Sequence, residues 1–147
     1  MKIVFIRHGA KRSSESDPEL TSYGRKMAFE TGQWLAKSGH IPQFIYSTST
    51  SRTLQTAEEC LFACELEIPI QSIDIPEQWE EWLDFLEKLG DDGPHNIAFV
   101  GHHPTMHLLT AHYNLDVPNH HFASAVVLEK QTTKKWHCID SWPGRAS

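Results

Sequence analysis

The stretch KIVFIRHG, residues 2–9, is the strongest indication of the fold. Residues 2–6 form a β-branched and aromatic run whose composition and length are typical of a strand buried on both faces of a sheet. The run ends abruptly in Arg7, His8 and Gly9. The sequence therefore predicts an interior strand with a guanidinium and an imidazole at its carboxyl end.

Working outward from this strand, extended and helical segments alternate along the chain. Thr21 is expected to cap the first helix, Gly39 to stop it, and the cap-type residues 48–51 to open the second. The predicted helices run from Thr21 to about Lys37, from residues 48–51 onward, over 79–89, and from Pro104 to about Tyr113. The predicted strands are residues 2–6, 44–46, 97–100, 122–128 and 136–139, with a further extended segment at 68–75. This pattern predicts one α/β domain over residues 1–147, a three-layer α/β/α sandwich with a mostly parallel central sheet.

Length and composition exclude several classes of protein. A chain of 147 residues suits a single domain with a sizeable core. Its formal net charge of −6 is not the excess of positive charge that is typical of proteins that bind nucleic acid or an anionic membrane surface. The apolar runs are too short to span a bilayer and no secretion signal is evident, so we expect a cytoplasmic protein. Three Cys residues without a Cys-x-x-Cys motif argue against a disulfide framework and against a structural zinc site.

Three motifs rich in positive or imidazole groups occupy equivalent places in the predicted fold. Residues 7–9 follow one strand, Arg52 lies in a first helical turn, and residues 101–103 join a strand to a helix. In a parallel sheet the carboxyl ends of strands and the following helix N-termini meet in one crevice, where ligands bind. Guanidinium groups and helix N-terminal amides both suit phosphate oxygens. The sequence therefore predicts a pocket for a small phosphate-like anion.

Four motifs, in this order, together carry a family resemblance. They are Arg7-His8-Gly9, Leu20-Thr21-x-x-Gly24, Arg52-Thr53-x-Gln55-Thr56-Ala57-Glu58 and Gly101-His102-His103-Pro104. In this order and spacing the chain resembles the histidine phosphatase superfamily, also called phosphoglycerate mutase-like. No cap is inserted between Glu58 and His102, so the chain is similar to the compact branch, typified by small phosphohistidine phosphatases that act on histidine-containing phosphotransfer domains.

The resemblance implies a role for each matching residue. His8 would attack phosphorus in line, forming a phosphohistidine that water then hydrolyses. Arg7, Arg52 and His102 would bind the phosphoryl oxygens, and the backbone amide near His103 would add a donor. Neither a metal nor a cofactor is implied. The expected partner is a phosphorylated protein or a small phosphorylated substrate, and nothing predicts a particular oligomeric state.

The family also uses an acidic residue that protonates the leaving group. In this chain the matching region offers Glu77, with Glu80 as a reserve, although both carboxylates could simply line a solvated helix start. An ill-defined acid favours a phosphohistidine substrate, because its imidazole can leave already carrying a proton whereas an alkoxide must be protonated.

Other functions stay open at this stage. One is a small-metabolite phosphomonoesterase of the same superfamily, and another is a catalytically silent phosphate-binding module. A mutase is less expected because the chain is too short for an enclosing insertion. His103 and His107 lie four residues apart on one predicted helix, which raises a metal site as a less favoured alternative. Lys11 and Arg12 are interpreted equally as substrate contacts or as a solvated loop.

Overall fold

A computed structural model describes residues 1–13, 16–73, 96–115, 121–130 and 136–144, without the side chains of 103–105 and 109. The helices are α1 (Ser22–Lys37), α2 (Ser51–Ala63) and α3 (His103–His112). The strands are β1 (Lys2–Arg7), β2 (Phe44–Ser47), β3 (Ile70–Ser72), β4 (Asn96–Gly101), β5 (Ala125–Lys130) and β6 (Trp136–Trp142).

The six strands form one sheet in the order β3-β2-β4-β1-β5-β6. The pairs β3–β2, β2–β4 and β4–β1 are parallel, whereas β1–β5 and β5–β6 are antiparallel. Strand β1 therefore lies inside the sheet, with β4 on one side and β5 on the other. The predicted mostly parallel sheet is confirmed, and the two last predicted strands are present as the antiparallel pair β5–β6.

Helices cover both faces of this sheet, as the alternating side chains of β1 show. Val4 and Ile6 face a core that includes residues from α1 and α2, among them Leu35 and Ala57. Ile3 and Phe5 face a second core that contains Met106 of α3. All four strand residues are at most 4% exposed. This burial on both faces confirms the strand predicted from residues 2–6 and the three-layer α/β/α architecture.

For the three described helices, the predicted ends agree with the observed ends to within a residue or two. Thr21 caps α1 by accepting a hydrogen bond from the amide of Gly24, and Thr50 caps α2 by accepting from Thr53. Gly39, with φ of +74°, follows the last turn of α1 in the left-handed region that favours glycine. Helix α3 begins at His103, one residue before the expected Pro104. The predicted helix over 79–89 and part of the extended segment 68–75 lie outside the described residues.

Two strand boundaries were predicted wrongly. Strand β6 extends to Trp142, beyond the expected end at residue 139. We expected a strand from residue 122, but β5 begins at Ala125. The reason is the backbone of Ala123, whose φ of +57° is a left-handed conformation that no strand can contain. Phe122 therefore lies outside β5, and its ring faces the crevice described below. Within the described part of the chain, none of the helices is both long and apolar enough to cross a membrane.

Candidate active site

The sheet order brings three strand ends together. Strand β4 lies between β2 and β1, and the register pairs Arg7 with Gly101 and Ser47 with Val100. All three strands run in parallel, so the residues that follow them emerge at the same edge of the sheet. His8 follows β1 and His102 follows β4. Their rings lie 5.6 Å apart between centroids, in an edge-to-face arrangement.

His8 is held in one tautomer. Its Nδ1 lies 2.8 Å from the carbonyl oxygen of Gly9. A carbonyl can only accept a hydrogen bond, so Nδ1 carries the proton and Nε2 has a free lone pair when the ring is neutral. The ring is buried, with 5% exposure.

Burial also keeps the His8 ring neutral. It is the main cause that lowers the pKa of His8 to about 4, opposed by the hydrogen bond to Gly9. His102, when it is protonated, and the charges of Arg52 and Arg7 lower this pKa further. At neutral pH the site therefore presents an unprotonated imidazole nitrogen surrounded by positive groups, which is the electrostatic setting for a nucleophile that attacks an anion.

Arg52 reaches the same place from the start of α2. Its Nη2 lies 3.4 Å from Nδ1 of His102. Its Nε is buried and, among the residues that the structure describes, finds no hydrogen-bond acceptor. A buried donor of this kind carries a desolvation penalty that an oxyanion in the crevice would relieve.

Arg7 is held from the other side by an aromatic ring. Its guanidinium carbon lies 4.3 Å from the ring centroid of Phe122, a cation–π geometry. The same ring lies 6.1 Å from that of His8. Burial lowers the pKa of Arg7, because a cation is held partly out of water there. Phe122 thus forms an apolar wall shared by Arg7 and His8.

The motif residues that do not face the crevice fasten the loop after β1. The amide of Gly9 donates to Oγ1 of Thr56 over 3.0 Å, and the amide of Leu20 donates to Oε1 of Gln55 over 2.8 Å. The backbone of Gly24 packs so closely on this loop that a Cβ on Gly9 would lie 2.5 Å from the Gly24 carbonyl oxygen. These contacts explain why Gln55, Thr56 and Gly24 accompany the charged residues in the sequence.

A carboxylate ties the same loop to the start of α2. Asp17 accepts two hydrogen bonds from Ser51, from its amide over 3.0 Å and from its hydroxyl over 2.7 Å. These two hydrogen bonds lower the pKa of Asp17, the one from the backbone amide more than the one from the hydroxyl. The charge of Arg52 lowers it by a smaller amount. Asp17 is therefore charged at neutral pH, at the helix end where negative charge is favoured. It holds the loop beside Arg52.

The structure brings together Arg7, His8, Arg52 and His102, four of the residues predicted from the sequence. His103 begins α3, so the N-terminus of this helix lies directly after His102. Glu77 and Glu80 lie outside the described residues. Lys11 and Arg12 are exposed, and an isolated bridge joins Lys11 to Leu20.

Two residues of the site escaped the sequence analysis. Phe122 was expected inside a strand, and Thr48, 3.2 Å from Nε2 of His102, was interpreted as one of a run of cap residues. Thr48 had a usable signal, since it follows a predicted parallel strand as His8 and His102 do. Among the described residues, no group of three or more His, Cys, Asp or Glu side chains is arranged to hold a metal ion.

Comparison with known proteins agrees with this geometry. The chain is 29% identical to a phosphohistidine phosphatase SixA homolog of Haemophilus influenzae, over 71% of each chain. Among solved structures, the protein histidine phosphatase SixA complexed with tungstate superposes with a TM-score of 0.81 at 19% identity, covering 96% of both chains. A mycobacterial glucosyl-3-phosphoglycerate phosphatase shares the fold with a TM-score of 0.70 at 17% identity, covering 98% of this chain and 99% of the other.

A family match that spans more than half of the chain confirms the resemblance carried by the four motifs. It also confirms the predicted class of enzyme, a phosphatase. The model of the histidine phosphatase superfamily (branch 1) matches residues 3–83, which contain Arg7, His8 and Arg52. The protein therefore belongs to the histidine phosphatase superfamily.

Proposed function

We propose that this protein is a metal-independent phosphatase that removes phosphoryl groups from phosphohistidine or other phosphorylated protein side chains, with His8 as the nucleophile. The observation that carries the proposal is the state of His8. Its Nδ1 donates a hydrogen bond to the Gly9 carbonyl oxygen over 2.8 Å, and the pKa of the ring is lowered to about 4. Nε2 is therefore available for attack at any pH near neutrality.

The reaction would proceed in two displacements. In the first, the lone pair of Nε2 forms a bond to phosphorus while the bond from phosphorus to the leaving nitrogen or oxygen breaks. In the second, water attacks the phosphorus of the phosphorylated His8, the P–N bond breaks, and inorganic phosphate leaves. Nδ1 keeps its proton and donates it to the Gly9 carbonyl oxygen, and this hydrogen bond stabilises the positive charge that the ring acquires on phosphorylation.

The positive groups around His8 suit the charge of the transferring phosphoryl group. Arg7 and Arg52 would bind its equatorial oxygens, and His102 with the amide at the start of α3 would complete the set. The desolvated Nε of Arg52 supports this role, because a phosphoryl oxygen would supply the acceptor that the described residues lack.

The similarity to SixA supports a phosphohistidine substrate. The H. influenzae relative is a phosphohistidine phosphatase homolog. An imidazole leaving group requires little help from a general acid, which agrees with the ambiguous acid in the sequence. Glu77, with Glu80 as the reserve, stays the predicted proton donor for phosphate esters.

The test is a turnover assay without added metal on a phosphorylated histidine-containing phosphotransfer domain, a phosphoserine peptide and small phosphate esters at matched concentrations. We expect fastest turnover of the phosphohistidine domain, no effect of a chelator, and an acid-labile phosphoprotein trapped by rapid quenching. His8→Ala should abolish both turnover and trapping, whereas the exposed His137→Ala should change neither.

Each other outcome would identify a competing function. Preference for a small ester would indicate a metabolite phosphatase. Phosphate binding without turnover would indicate a silent binding module. Activity that survives in His8→Ala, or disappears with the chelator, would contradict the mechanism itself.

A further inference from the structure

A chain of threonine hydroxyls runs behind His102. Thr48 follows β2 directly and His102 follows β4 directly, and these strands are parallel neighbours. Oγ1 of Thr48 lies 3.2 Å from Nε2 of His102. The other ring nitrogen, Nδ1, lies 3.4 Å from Nη2 of Arg52. His102 is therefore held at both nitrogens by two different elements, the end of β2 and the start of α2.

The direction of the hydroxyl chain follows from its far end. Oγ1 of Thr53 lies 2.9 Å from the carbonyl oxygen of Thr48 and 3.0 Å from that of Thr50. Carbonyl oxygens only accept, and Oγ1 of Thr50, 2.6 Å away, can accept as well, so the hydroxyl proton of Thr53 is directed to these groups and away from the Thr48 hydroxyl. Oγ1 of Thr48, 2.9 Å from Oγ1 of Thr53, therefore donates to Thr53 and offers lone pairs to His102. Thr53 is fully buried, at 0% exposure, which keeps solvent from reversing this order.

The contacts of His102 with Thr48 and with Arg52 both indicate which ring nitrogen carries the proton. Thr48 has lone pairs to offer, so Nε2 of His102 must donate and carries a proton. Arg52 has N–H groups to offer and no acceptor, so Nδ1 must accept and is unprotonated in the neutral ring. The Arg52 contact is the longer of the two, at 3.4 Å against 3.2 Å, so we expect the Thr48 contact to decide the tautomer and the ring orientation.

We propose that Thr48 is a positioning residue, which holds the Nε2 proton of His102 and keeps the Nδ1 edge of the ring turned towards Arg52 and the crevice. This inference rests on the proposed function, in which His102 binds a phosphoryl oxygen: because Thr48 holds the Nε2 proton, Nδ1 is the nitrogen that takes up a second proton and donates it to that oxygen when phosphate is bound. Rotation of a histidine ring about its last side-chain bond has broad, roughly two-fold preferences. A hydroxyl that is anchored through buried Thr53 removes that freedom.

The first test observes the ring without any reaction. Nitrogen-15 NMR of the free protein should show His102 as the Nε2–H tautomer, a signature that Thr48→Ser keeps and Thr48→Val converts to a mixture. A Thr48→Val protein with the wild-type signature would overturn the proposal. Because this measurement needs no substrate, it stands even if the wild-type protein proves to have no phosphatase activity, which would refute the proposed function alone.

The second test uses turnover and the binding of inorganic phosphate. Thr48→Val should lower kcat by about ten-fold or more with a smaller change in KM, because a misplaced group harms the transition state most. Thr48→Ser should restore most of the activity. Thr110→Val, which removes a buried hydroxyl donating to carbonyls within α3, controls for general destabilisation.

A double-variant comparison separates action through His102 from any other effect. Thr48→Val should weaken phosphate binding in the wild-type background and cause no further weakening in the His102→Asn background. Equal weakening in both backgrounds, or failure of Thr48→Ser to restore activity, would show that Thr48 acts elsewhere.

Discussion

His8 is neutral because the fold keeps it away from water. An exposed histidine has a pKa near 6.5, and burial is the main influence that lowers this one to about 4. The same burial strips water from parts of Arg7 and Arg52, whose charges can then act on a bound anion through a low dielectric medium. The neutral imidazole of His8, the proposed nucleophile, and the partly desolvated charges of the two arginines therefore have one physical cause, the removal of solvent from the crevice.

Arg52 offers a direct test of this view at the residue scale. Arg52→Ala should lower kcat/KM on the order of 10²-fold or more, because it removes a preorganised charge from the transition state. Arg25→Ala is the matched control. This substitution breaks the ion pair between Arg25 and Glu59, whose N–O distance is 3.2 Å. The Arg25 side chain is 42% exposed, and exposed ion pairs contribute little to stability. A loss of only a few-fold for Arg52→Ala, or similar losses in both variants, would exclude Arg52 from the site.

At the scale of elements, the loop between β1 and α1 is fastened from several directions. Gln55 and Thr56 of α2 accept hydrogen bonds from its backbone, Asp17 ties it to Ser51, and Gly24 packs against Ala10. Rigid support of this kind matters because catalysis depends on placing a nucleophile within fractions of an ångström. The position of His8 thus depends on helices α1 and α2 as well as on its own strand.

The contact between Gly24 and the loop predicts a sharp difference between two glycine substitutions. A Cβ at residue 24 would collide with the carbonyl oxygen of Ala10, which is backbone and cannot rotate away. Gly24→Ala should therefore reduce the free energy of unfolding by about 2 kcal/mol or more and should also impair turnover. Gly39→Ala meets no atom within 4 Å and suffers only from its φ of +74°, a cost of about 1 kcal/mol.

Urea denaturation and turnover of both variants check this prediction. We expect Gly39→Ala to keep normal turnover, since residue 39 lies beyond the far end of α1. A smaller loss of stability in Gly24→Ala than in Gly39→Ala would contradict the close packing described here.

The same elements show what could be predicted from the sequence. Thr21 and Arg52 were placed correctly because capping and helix starts are local, and local patterns are visible in the residues themselves. Phe122 and Thr48 were not recognised because their roles depend on distant partners. Phe122 reaches Arg7 through the left-handed turn at Ala123, and Thr48 meets His102 only because β2 and β4 are neighbours in the sheet. Strand order is a tertiary property that periodicity does not encode.

At the scale of the whole molecule, the neutral state of His8 makes folding depend on pH. The unfolded chain binds a proton at this histidine below about pH 6.5, whereas the folded protein does so only below about pH 4. The unfolded state therefore holds more protons between these values, and the free energy of unfolding rises with pH across that window.

Equilibrium unfolding in urea at pH 5 and pH 7 measures this effect. His8 should lower the free energy of unfolding at pH 5 by about 2 kcal/mol relative to pH 7. His8→Gln lacks the titrating group and should show a correspondingly smaller difference between the two pH values. Identical differences in the two proteins would mean that the pKa of His8 is not lowered by folding.

The place of β4 between β1 and β2 also governs the order in which a growing chain can assemble. Residues 1–73 contain β1, β2 and β3, of which β2 and β3 pair with each other while β1 pairs with β4 and β5. A nascent chain that ends at residue 73 would hold His8, the proposed nucleophile, after a strand whose partners β4 and β5 have not yet been made. Synthesis must pass residue 101 before β4 can insert, and the same insertion delivers His102. The insertion of β4 therefore gives β1 its parallel neighbour and brings His102 to the crevice in a single event.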